Sequence, residues 1–377
     1  MAAPTRRAVF IGHDVYRRAA YGKLHPLAIP RVETVVDLCH ALDWFAPGEY
    51  VQSPCASADQ LAAFHDRGYI AALREACEAG RVDAQVRDRH GIGTMENPLF
   101  PGVFERASTS VGGSIHAARM ALAGRIAYHP AGGTHHGRPG RASGFCFFND
   151  PAFALITLLE AGLERVAYVD LDAHHCDAVQ DAFCHDARVR IASIHEAGRW
   201  PHTGAFEEDF GGRVLNLPVP RGFNDAELRA LMQDVVRPFV AAWRPEAIVV
   251  TCGADALRGD PLAAMALGNV ALWDAVESLV ALAPAAVVLG GGGYNPWTLA
   301  RYWAGLWARL SGRPIPDGLP APARAILAQL DCPLIDDEDR LPEWLTRLAD
   351  ESHAGVVRDE VGALRDAALA RIAEVCP

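Results

Sequence analysis

The sequence predicts an α/β protein with a single open, mostly parallel sheet that is flanked by helices on both faces. Short apolar runs rich in β-branched residues alternate with longer amphipathic segments, as in strand–helix units. Half of the 377 residues are hydrophobic, which is enough for one large core. Polar clusters follow five of the apolar runs, and open parallel sheets bind ligands beyond the carboxyl ends of their strands. We therefore expect the active site at that edge of the sheet.

The strands and helices follow from hydrophobic periodicity. Each apolar run is short and continuous, as in a parallel sheet that is buried on both faces. We predict strands at 7–12, 124–128, 165–171, 188–194, 213–219, 246–252 and 286–290. We predict helices at 58–79, 103–123, 150–162, 224–243, 269–283 and 298–310.

A proline- and glycine-rich stretch divides the chain near its C-terminus. The segment SGRPIPDGLPAPA at 311–323 predicts a main, catalytic domain over 1–311, followed by a link and a helical tail over 312–377. Helices are predicted in this tail at 341–349 and 352–374. The tail has no chemical motif, so we expect it to pack on the main domain or on a partner subunit, where it could support an oligomer.

Composition argues against several classes of function. The net charge is −11, and the basic residues form no run, so we expect no nucleic-acid binding. The N-terminal segment is too short and too polar for a signal peptide, and no apolar run approaches about 18 residues, so we expect no membrane span. The nine cysteines include no CxxC pair. A reduced, cytoplasmic enzyme is the resulting prediction.

Three residues at strand ends could bind a metal ion. Asp172 and His174 are two positions apart, so on an extended segment they point to the same side. Asp255 follows another strand in the same way. Three protein ligands with one open position are typical of catalytic zinc, and without thiolates Fe²⁺, Co²⁺ or Mn²⁺ could replace it. The alternative is two helix-capping aspartates and a buried structural histidine.

Two adjacent histidines and one tyrosine could take part in catalysis. His135 and His136 lie on a loop behind AGG, and a histidine pair beside a metal indicates proton transfer. Such histidines need carboxylate partners, and Asp170 and Asp177 are available. Tyr294 follows four glycines and could donate to an oxygen that becomes negative in the transition state, or it could simply fill a flexible turn.

Several ordered motifs resemble those of the zinc-dependent histone deacetylase superfamily. Within it, the chain is similar to bacterial acetoin-utilisation-type and acetylpolyamine amidohydrolase-like members. The resemblance runs from 22–32 (GKLHPLAIPRV) to 290–303 (GGGGYNPWTLARYW), or roughly three quarters of the chain. The motifs are AGGTHHG, SGFCFFND, YVDLDAHHCDAVQDAF, SIHEAGRWPHTG, GADALRGDP and LGGGGYN.

The resemblance implies a ligand set and a division of catalytic work. Asp172, His174 and Asp255 would bind zinc, and Tyr294 would polarise the acyl carbonyl. The tandem histidines would be paired with carboxylates, His135 with Asp170 and His136 with Asp177. A structural potassium ion would lie near five residues. These are Asp170, Asp172, His174, Ser193 and Ile194.

The resemblance also implies a substrate channel. Phe145 and Trp200 would form its walls, and Gly144 would admit the acyl-amide chain. Leu262 would lie further out, and Glu96 would be a rim carboxylate that binds the substrate backbone. Trp200 stands where the family usually has phenylalanine, which puts the substrate range in doubt.

A second departure lies next to the candidate metal ligands. The family's common HHGDG is here HHCDA, with Cys176 and Ala178 in place of glycines. Neither glycine is a ligand, so we expect a local packing change. Redox control through Cys176 is the less favoured interpretation.

The implied activity is hydrolysis of an acyl amide by metal-activated water. We expect acetyl or another short acyl group to be removed from lysine side chains of proteins or peptides. Small acylated amines such as acetylpolyamines are the alternative substrates. More remote alternatives are a non-catalytic acyl-ligand binder and a binuclear manganese ureohydrolase of the arginase type. The ureohydrolase would need a further aspartate where this chain has Gly253.

Overall fold

A computed structural model describes residues 6–18, 21–351 and 355–375 and contains one eight-stranded sheet. Every pairing between neighbouring strands is parallel, in the order β2-β1-β3-β8-β7-β4-β5-β6. The predicted fold class is thus confirmed. The strands are β1 (Ala8–Gly12), β2 (Tyr50–Gln52), β3 (Ile126–His129), β4 (Val166–Asp170), β5 (Val189–Glu196), β6 (Val214–Val219), β7 (Ala247–Thr251) and β8 (Ala285–Leu289).

Helices cover both faces of the sheet. Among the described residues, none of them combines the length and the apolar character needed to cross a bilayer. A π-helical turn at Met232–Val236 joins α8 to α9. The α-helices are α1 (Val32–Ala41), α2 (Ala58–Leu61), α3 (Arg67–Ala79), α4 (Ala84–His90), α5 (Val103–Leu122), α6 (Asp150–Glu160), α7 (Asp177–Phe183), α8 (Asp225–Leu231), α9 (Arg237–Trp243), α10 (Asn269–Val280), α11 (Pro296–Leu310), α12 (Ala321–Ala328) and α13 (Asp359–Val375).

The uniform apolarity of the strands reflects burial on both faces. Consecutive residues of one strand belong to different hydrophobic clusters: Val287 packs with α5 and α6, whereas Val288 packs with α10 and α11. Both side chains have no exposed surface. Because each side of the sheet needs apolar side chains, these strands lack the polar–apolar alternation of a half-exposed strand.

Two predictions near the N-terminal half were wrong. The edge strand β2 has only three residues and was not predicted. The helix predicted at 58–79 is interrupted between α2 and α3, where His65 points inward. His65 Nδ1 lies 3.1 Å from the Arg138 carbonyl, and its Nε2 accepts the Asn149 amide at 3.0 Å. These long-range hydrogen bonds outweigh local helix propensity.

The C-terminal segment packs on the main core. Trp344, Leu348 and Val361 are buried in the same cluster as helices α10 and α11. The helix predicted at 341–349 is only a 3₁₀ turn, Pro342–Leu345, because the next carbonyls are bonded elsewhere. Leu348 O accepts the Asn269 side chain, and Arg347 O accepts Arg301 Nε.

The last predicted helix, 352–374, begins later than expected. Its residues 352–354 lie outside the described part of the chain, and α13 begins at Asp359. Val356 O accepts a hydrogen bond from the Asn224 side chain before the helix begins. The domain boundary at 311 and the contact with a partner subunit stay predictions.

Replacing Gly305 of α11 by alanine is expected to destabilise the protein. A Cβ at this position would lie 2.0 Å from Cζ2 of the buried Trp273. We expect a loss of about 1–3 kcal/mol in the free energy of unfolding, as overpacked cores typically show. Urea unfolding would measure it.

Gly362→Ala in α13 is the matched control. Nothing lies within 4 Å of a Cβ there, so alanine should stabilise the helix by about 0.5–1 kcal/mol. Equal effects of the two substitutions would contradict the packing argument.

Candidate active site

The five polar clusters that follow strands come together at one edge of the sheet. They follow β3, β8, β7, β4 and β5, which are consecutive in the sheet. A cavity of about 670 Å³ opens above these carboxyl ends. The convergence predicted from strand order is therefore observed, and it brings the candidate metal ligands, histidines and tyrosine around one space.

Asp172, His174 and Asp255 form a tight group at the base of the cavity. Their potential ligand atoms all lie within 4.8 Å of one another. His174 Nδ1 is 2.9 Å from Asp255 Oδ2 and 3.2 Å from Asp172 Oδ1. Burial lowers the pKa of His174, but its bonds with the two carboxylates outweigh burial and raise that pKa to about 10. The group thus strongly attracts positive charge.

The surrounding backbone fixes both carboxylates. Asp172 Oδ2 accepts the Gly292 amide at 2.6 Å, and Asp255 Oδ1 accepts the Ala173 amide at 3.0 Å. The glycine loop after β8 has to approach this closely, because a Cβ at Gly292 would lie 2.1 Å from Asp255 Oδ2. Two oriented carboxylates and one imidazole, without thiolates, suit a divalent cation such as Zn²⁺.

Each tandem histidine is held by its own carboxylate. His135 Nδ1 is 2.8 Å from Asp170 Oδ2, and His136 Nδ1 is 2.7 Å from Asp177 Oδ1. Both rings are buried, and their centroids are 4.0 Å apart. Because Nδ1 is engaged in each ring, Nε2 is the nitrogen left for chemistry. The pairing expected from the sequence is therefore present in the geometry.

The two histidines differ in their electrostatics. Burial lowers the pKa of His135, but the charges of Asp170 and Asp172 outweigh burial and raise that pKa to about 9. Burial and the charge on His135 lower the pKa of His136 to about 3, against the opposing bond with Asp177. At neutral pH His136 is thus the ring that can accept a proton.

The carboxylate partners differ as well. Asp170 is fully buried and accepts the Tyr168 hydroxyl at 2.5 Å. Asp177 instead shares its second oxygen with Arg138, whose Nη2 lies 2.6 Å away. Arg138 also reaches Asp181 at 2.7 Å. Arg138 thus neutralises part of the negative charge beside His136. Within the described residues, no arginine bonds to Asp170, the carboxylate beside His135.

Tyr294 lines the cavity directly after the glycine loop that leads to it. Its amide donates to Asp260 Oδ2 at 2.7 Å, and its ring makes an edge contact with Phe145 at 5.8 Å. Burial raises the pKa of the Tyr294 phenol well above its usual value, so the phenol keeps its proton and can donate. Burial and the charge of Asp255 raise the pKa of Asp260 to about 7.

The predicted channel residues all line the cavity. Trp200 packs edge-on against His136, with ring centroids 4.6 Å apart. Glu96 reaches the opposite wall, where its Oε1 accepts the Gly144 amide at 3.0 Å. Leu262 and Phe145 complete the set. The roles assigned to these residues, including a grip of Glu96 on the substrate backbone, stay predictions.

A glycine at 144 is needed for two independent reasons. Its φ is +54°, and a Cβ would lie 2.4 Å from Trp200 Cη2 and 2.7 Å from His136 Cδ2. We therefore expect Gly144→Ala to lower kcat/KM by about 10- to 100-fold, because small displacements of reacting groups have effects of that size. Steady-state kinetics on an acetyl-lysine peptide would measure the loss.

Gly162→Ala provides the comparison for backbone strain. Gly162 also has positive φ, at +90°, but nothing lies within 4 Å of its Cβ position. It should show a small loss of stability and normal kinetics. If both variants lost activity equally, the channel argument for Gly144 would fail.

The residues proposed for potassium are adjacent in the sheet. Ser193 on β5 pairs in register with Asp170 on β4. The Ser193 hydroxyl is 2.9 Å from His195 Nδ1. Cys176 is buried nearby, and burial raises its pKa well above the usual value, so the thiol stays protonated. The potassium site and the role of Cys176 stay predictions.

Sequence reasoning missed four charged residues of the cavity wall. Arg31 donates to the Gly291 carbonyl at 2.5 Å and lies over the Trp303 ring. The remaining three are Glu196, Arg199 and Arg221. Arginine supplies nearly all the basic residues of this chain, so a single arginine in the sequence does not indicate a binding residue. These four side chains come together only when the loops fold around the cavity.

Comparison with known proteins agrees with this geometry. Residues 25–310 match the histone deacetylase domain. The acetoin utilization protein AcuC of Bacillus subtilis (strain 168) is 34% identical over 346 residues, covering 87% of this chain and 88% of that protein. Histone deacetylase 8 of Xenopus tropicalis is 32% identical over 302 residues, covering 78% and 81%.

A solved structure agrees over nearly the whole chain. The crystal structure of an HDAC homolog from Aquifex aeolicus superposes with a TM-score of 0.91 at 35% identity, covering 97% of this chain and 100% of that one. The chain therefore belongs to the histone deacetylase family. Within that family it is of the acetoin-utilisation type, as its similarity to AcuC proteins indicates.

Proposed function

We propose that this protein is a zinc-dependent amidohydrolase that removes acetyl or other short acyl groups from lysine side chains of proteins or peptides. The observation that carries the proposal is the placement of the Asp172–His174–Asp255 group beside two histidine–carboxylate pairs at the base of one cavity. Family membership supports deacetylase activity. The lysine substrate and the zinc ion are the parts that we propose beyond it.

The residues present fit a catalytic metal ion. Asp172, His174 and Asp255 would hold it, and Asp172 and His174 also line the cavity. Bound there, zinc would supply Lewis acidity, polarising the acyl carbonyl and lowering the pKa of water towards about 7. Fe²⁺, Co²⁺ or Mn²⁺ could serve in its place, since no thiolate selects against them.

The histidines would move the protons. Neutral His136 accepts the proton of the attacking water at Nε2, while its Nδ1 proton stays on the bond to Asp177. His135, held by Asp170 at 2.8 Å, stabilises the negative charge that develops nearby. Protonated His136 then gives its proton to the leaving amine.

Tyr294 and the channel would bind and orient the substrate. The Tyr294 hydroxyl donates to the carbonyl oxygen as it becomes negative. Phe145 and Trp200 enclose the aliphatic part of the lysine side chain. A cavity lined by two aromatic side chains favours an acyl group on a flexible apolar chain, which acyl-lysine presents.

A paired assay tests the proposal. The purified protein is stripped with a chelator, reloaded with zinc, and given an acetyl-lysine peptide and an N-acetylated polyamine in parallel. We expect activity to vanish on stripping, to return with zinc, and to be greater on the peptide. Turnover of the polyamine alone would favour the alternative substrate class. Two manganese ions per chain with urea release would overturn the deacetylase proposal.

Location and assembly are part of the proposal. A cytoplasmic location rests on the cysteine pattern, which includes no CxxC pair. The proposal includes an oligomer formed through the C-terminal tail, and light scattering on the purified chain would test it.

A further inference from the structure

An exposed arginine of the cavity wall, Arg221, makes no hydrogen bond or ion pair with a carboxylate of the described residues. Its guanidinium makes no hydrogen bond with any other residue within the described ranges either. It is therefore available to a ligand in the cavity, where a free cation stands out in a chain of net charge −11.

The neighbouring carboxylate is already engaged. Glu196 is buried and accepts two hydrogen bonds from Arg199, at 2.6 and 2.8 Å. Its Oε2 also accepts the Ala264 amide at 2.7 Å. Arg199 makes the direct bonds to Glu196, and Arg221 acts on that carboxylate only through its charge. The Arg221 guanidinium thus keeps its hydrogen-bond donors for whatever enters the cavity.

The backbone that carries Arg221 is anchored at three points. The Arg221 carbonyl accepts Arg358 Nη1 at 2.9 Å, and the next amide, of Gly222, donates to Ala264 O at 2.6 Å. Phe223 has no exposed surface. The backbone of Arg221 is therefore held in place, and only its side chain can change position.

The C-terminal segment supplies one of these anchors. Arg358 donates to both oxygens of Glu227, at 2.6 and 2.8 Å, and Glu227 has no exposed surface. This pair joins the segment before α13 to the first turn of α8. The tail thus helps to position the rim of the cavity that Arg221 occupies.

We propose that Arg221 selects acyl-lysine substrates that carry a carboxylate next to the acylated side chain. The carboxylate could come from an acidic neighbouring residue or from the α-carboxylate of a terminal acyl-lysine. This inference rests on the proposed lysine deacetylase function. The same positive charge disfavours polycationic substrates such as acetylpolyamines, because like charges repel at the mouth of the cavity.

The test compares matched substrates on the zinc-loaded protein. One pair of acetyl-lysine peptides has Asp or Asn beside the acetyl-lysine, and a second pair ends in acetyl-lysine with a free or an amidated carboxyl group. We expect kcat/KM to favour the carboxylate by about two- to fivefold in at least one pair, the size typical of an exposed ion pair. The pair that responds identifies the source of the carboxylate, and added salt should reduce the preference.

Variants assign the effect to this side chain. Arg221→Gln should remove the preference, and Arg221→Glu should reverse it and raise turnover of an N-acetylated polyamine. Arg324→Glu changes the net charge equally on an exposed residue that does not line the cavity, and should leave the preference unchanged.

The failures of the two proposals are distinguishable. Equal turnover within both peptide pairs, or an unchanged preference in Arg221→Glu, would overturn the role of Arg221 while leaving lysine deacetylation intact. No turnover of any of the four peptides by the zinc-loaded protein would overturn the lysine deacetylase proposal, and the role of Arg221 with it.

Discussion

Asp255→Asn is expected to lower amide hydrolysis by about a thousandfold or more and to weaken zinc binding. The substitution keeps an oxygen for the Ala173 amide but removes one of the two carboxylate charges that face His174. A Lewis acid contributes several kcal/mol to transition-state stabilisation, and each 1.36 kcal/mol is about tenfold in rate. Metal content and kcat on an acetyl-lysine peptide are the quantities to measure.

Asp274→Asn is the control for this substitution. Asp274 is an aspartate of α10 that pairs with Arg309 and does not line the cavity. It should retain both metal and activity. Wild-type turnover with full zinc occupancy in Asp255→Asn would show that Asp255 is not a metal ligand.

Tyr294→Phe should lower kcat by about 100- to 1,000-fold, the usual effect of removing one oxyanion donor, and leave KM within a few-fold. The phenylalanine ring can keep the edge contact with Phe145, and the backbone bond to Asp260 does not involve the hydroxyl. Loss of activity would therefore report the missing donor rather than a collapsed site.

The control for Tyr294 is Tyr50→Phe, on the edge strand β2. Tyr50 stacks on Phe10 and does not line the cavity, so removing its hydroxyl should not affect kcat. A KM increase without a fall in kcat in Tyr294→Phe would assign Tyr294 to binding, and would contradict the oxyanion role.

The candidate catalytic groups could be brought together from sequence because each follows a strand. Asp172 and His174 needed only the i, i+2 geometry of an extended segment, and Asp255 needed only the rule that ligands gather at carboxyl strand ends. The structure brings these three side chains within 4.8 Å. The pairing of His135 and His136 with different aspartates came from family resemblance, since local sequence leaves the choice open.

The electrostatic difference between the histidines could not be predicted from sequence. It depends on the contacts of His135 with Asp170, at 2.8 Å between Nδ1 and Oδ2, and with Asp172, at 3.9 Å between Nε2 and Oδ1. Both contacts join elements that are distant along the chain.

The irregular parts of the fold could not be predicted from local sequence either, because they too depend on contacts between distant residues. The break at His65 and the 3₁₀ turn at Pro342–Leu345 are set by hydrogen bonds to partners far away in sequence. The position of Arg221 depends on Arg358, 137 residues later. Periodicity reports which face of an element is apolar, and it carries no information about such distant polar contacts.

The order of strands in the sheet also sets when the site can form during synthesis. Strand β3 pairs with β8, so the pairing of Ile126 with Ala286 cannot form until β8 has been synthesised. The glycine loop that bonds Asp172 follows β8 directly. A chain emerging from the ribosome therefore has Asp172 and His174 exposed long before Asp255 and the loop arrive. A metal ion that needs all three side chains would bind only after Asp255 and the glycine loop have been translated.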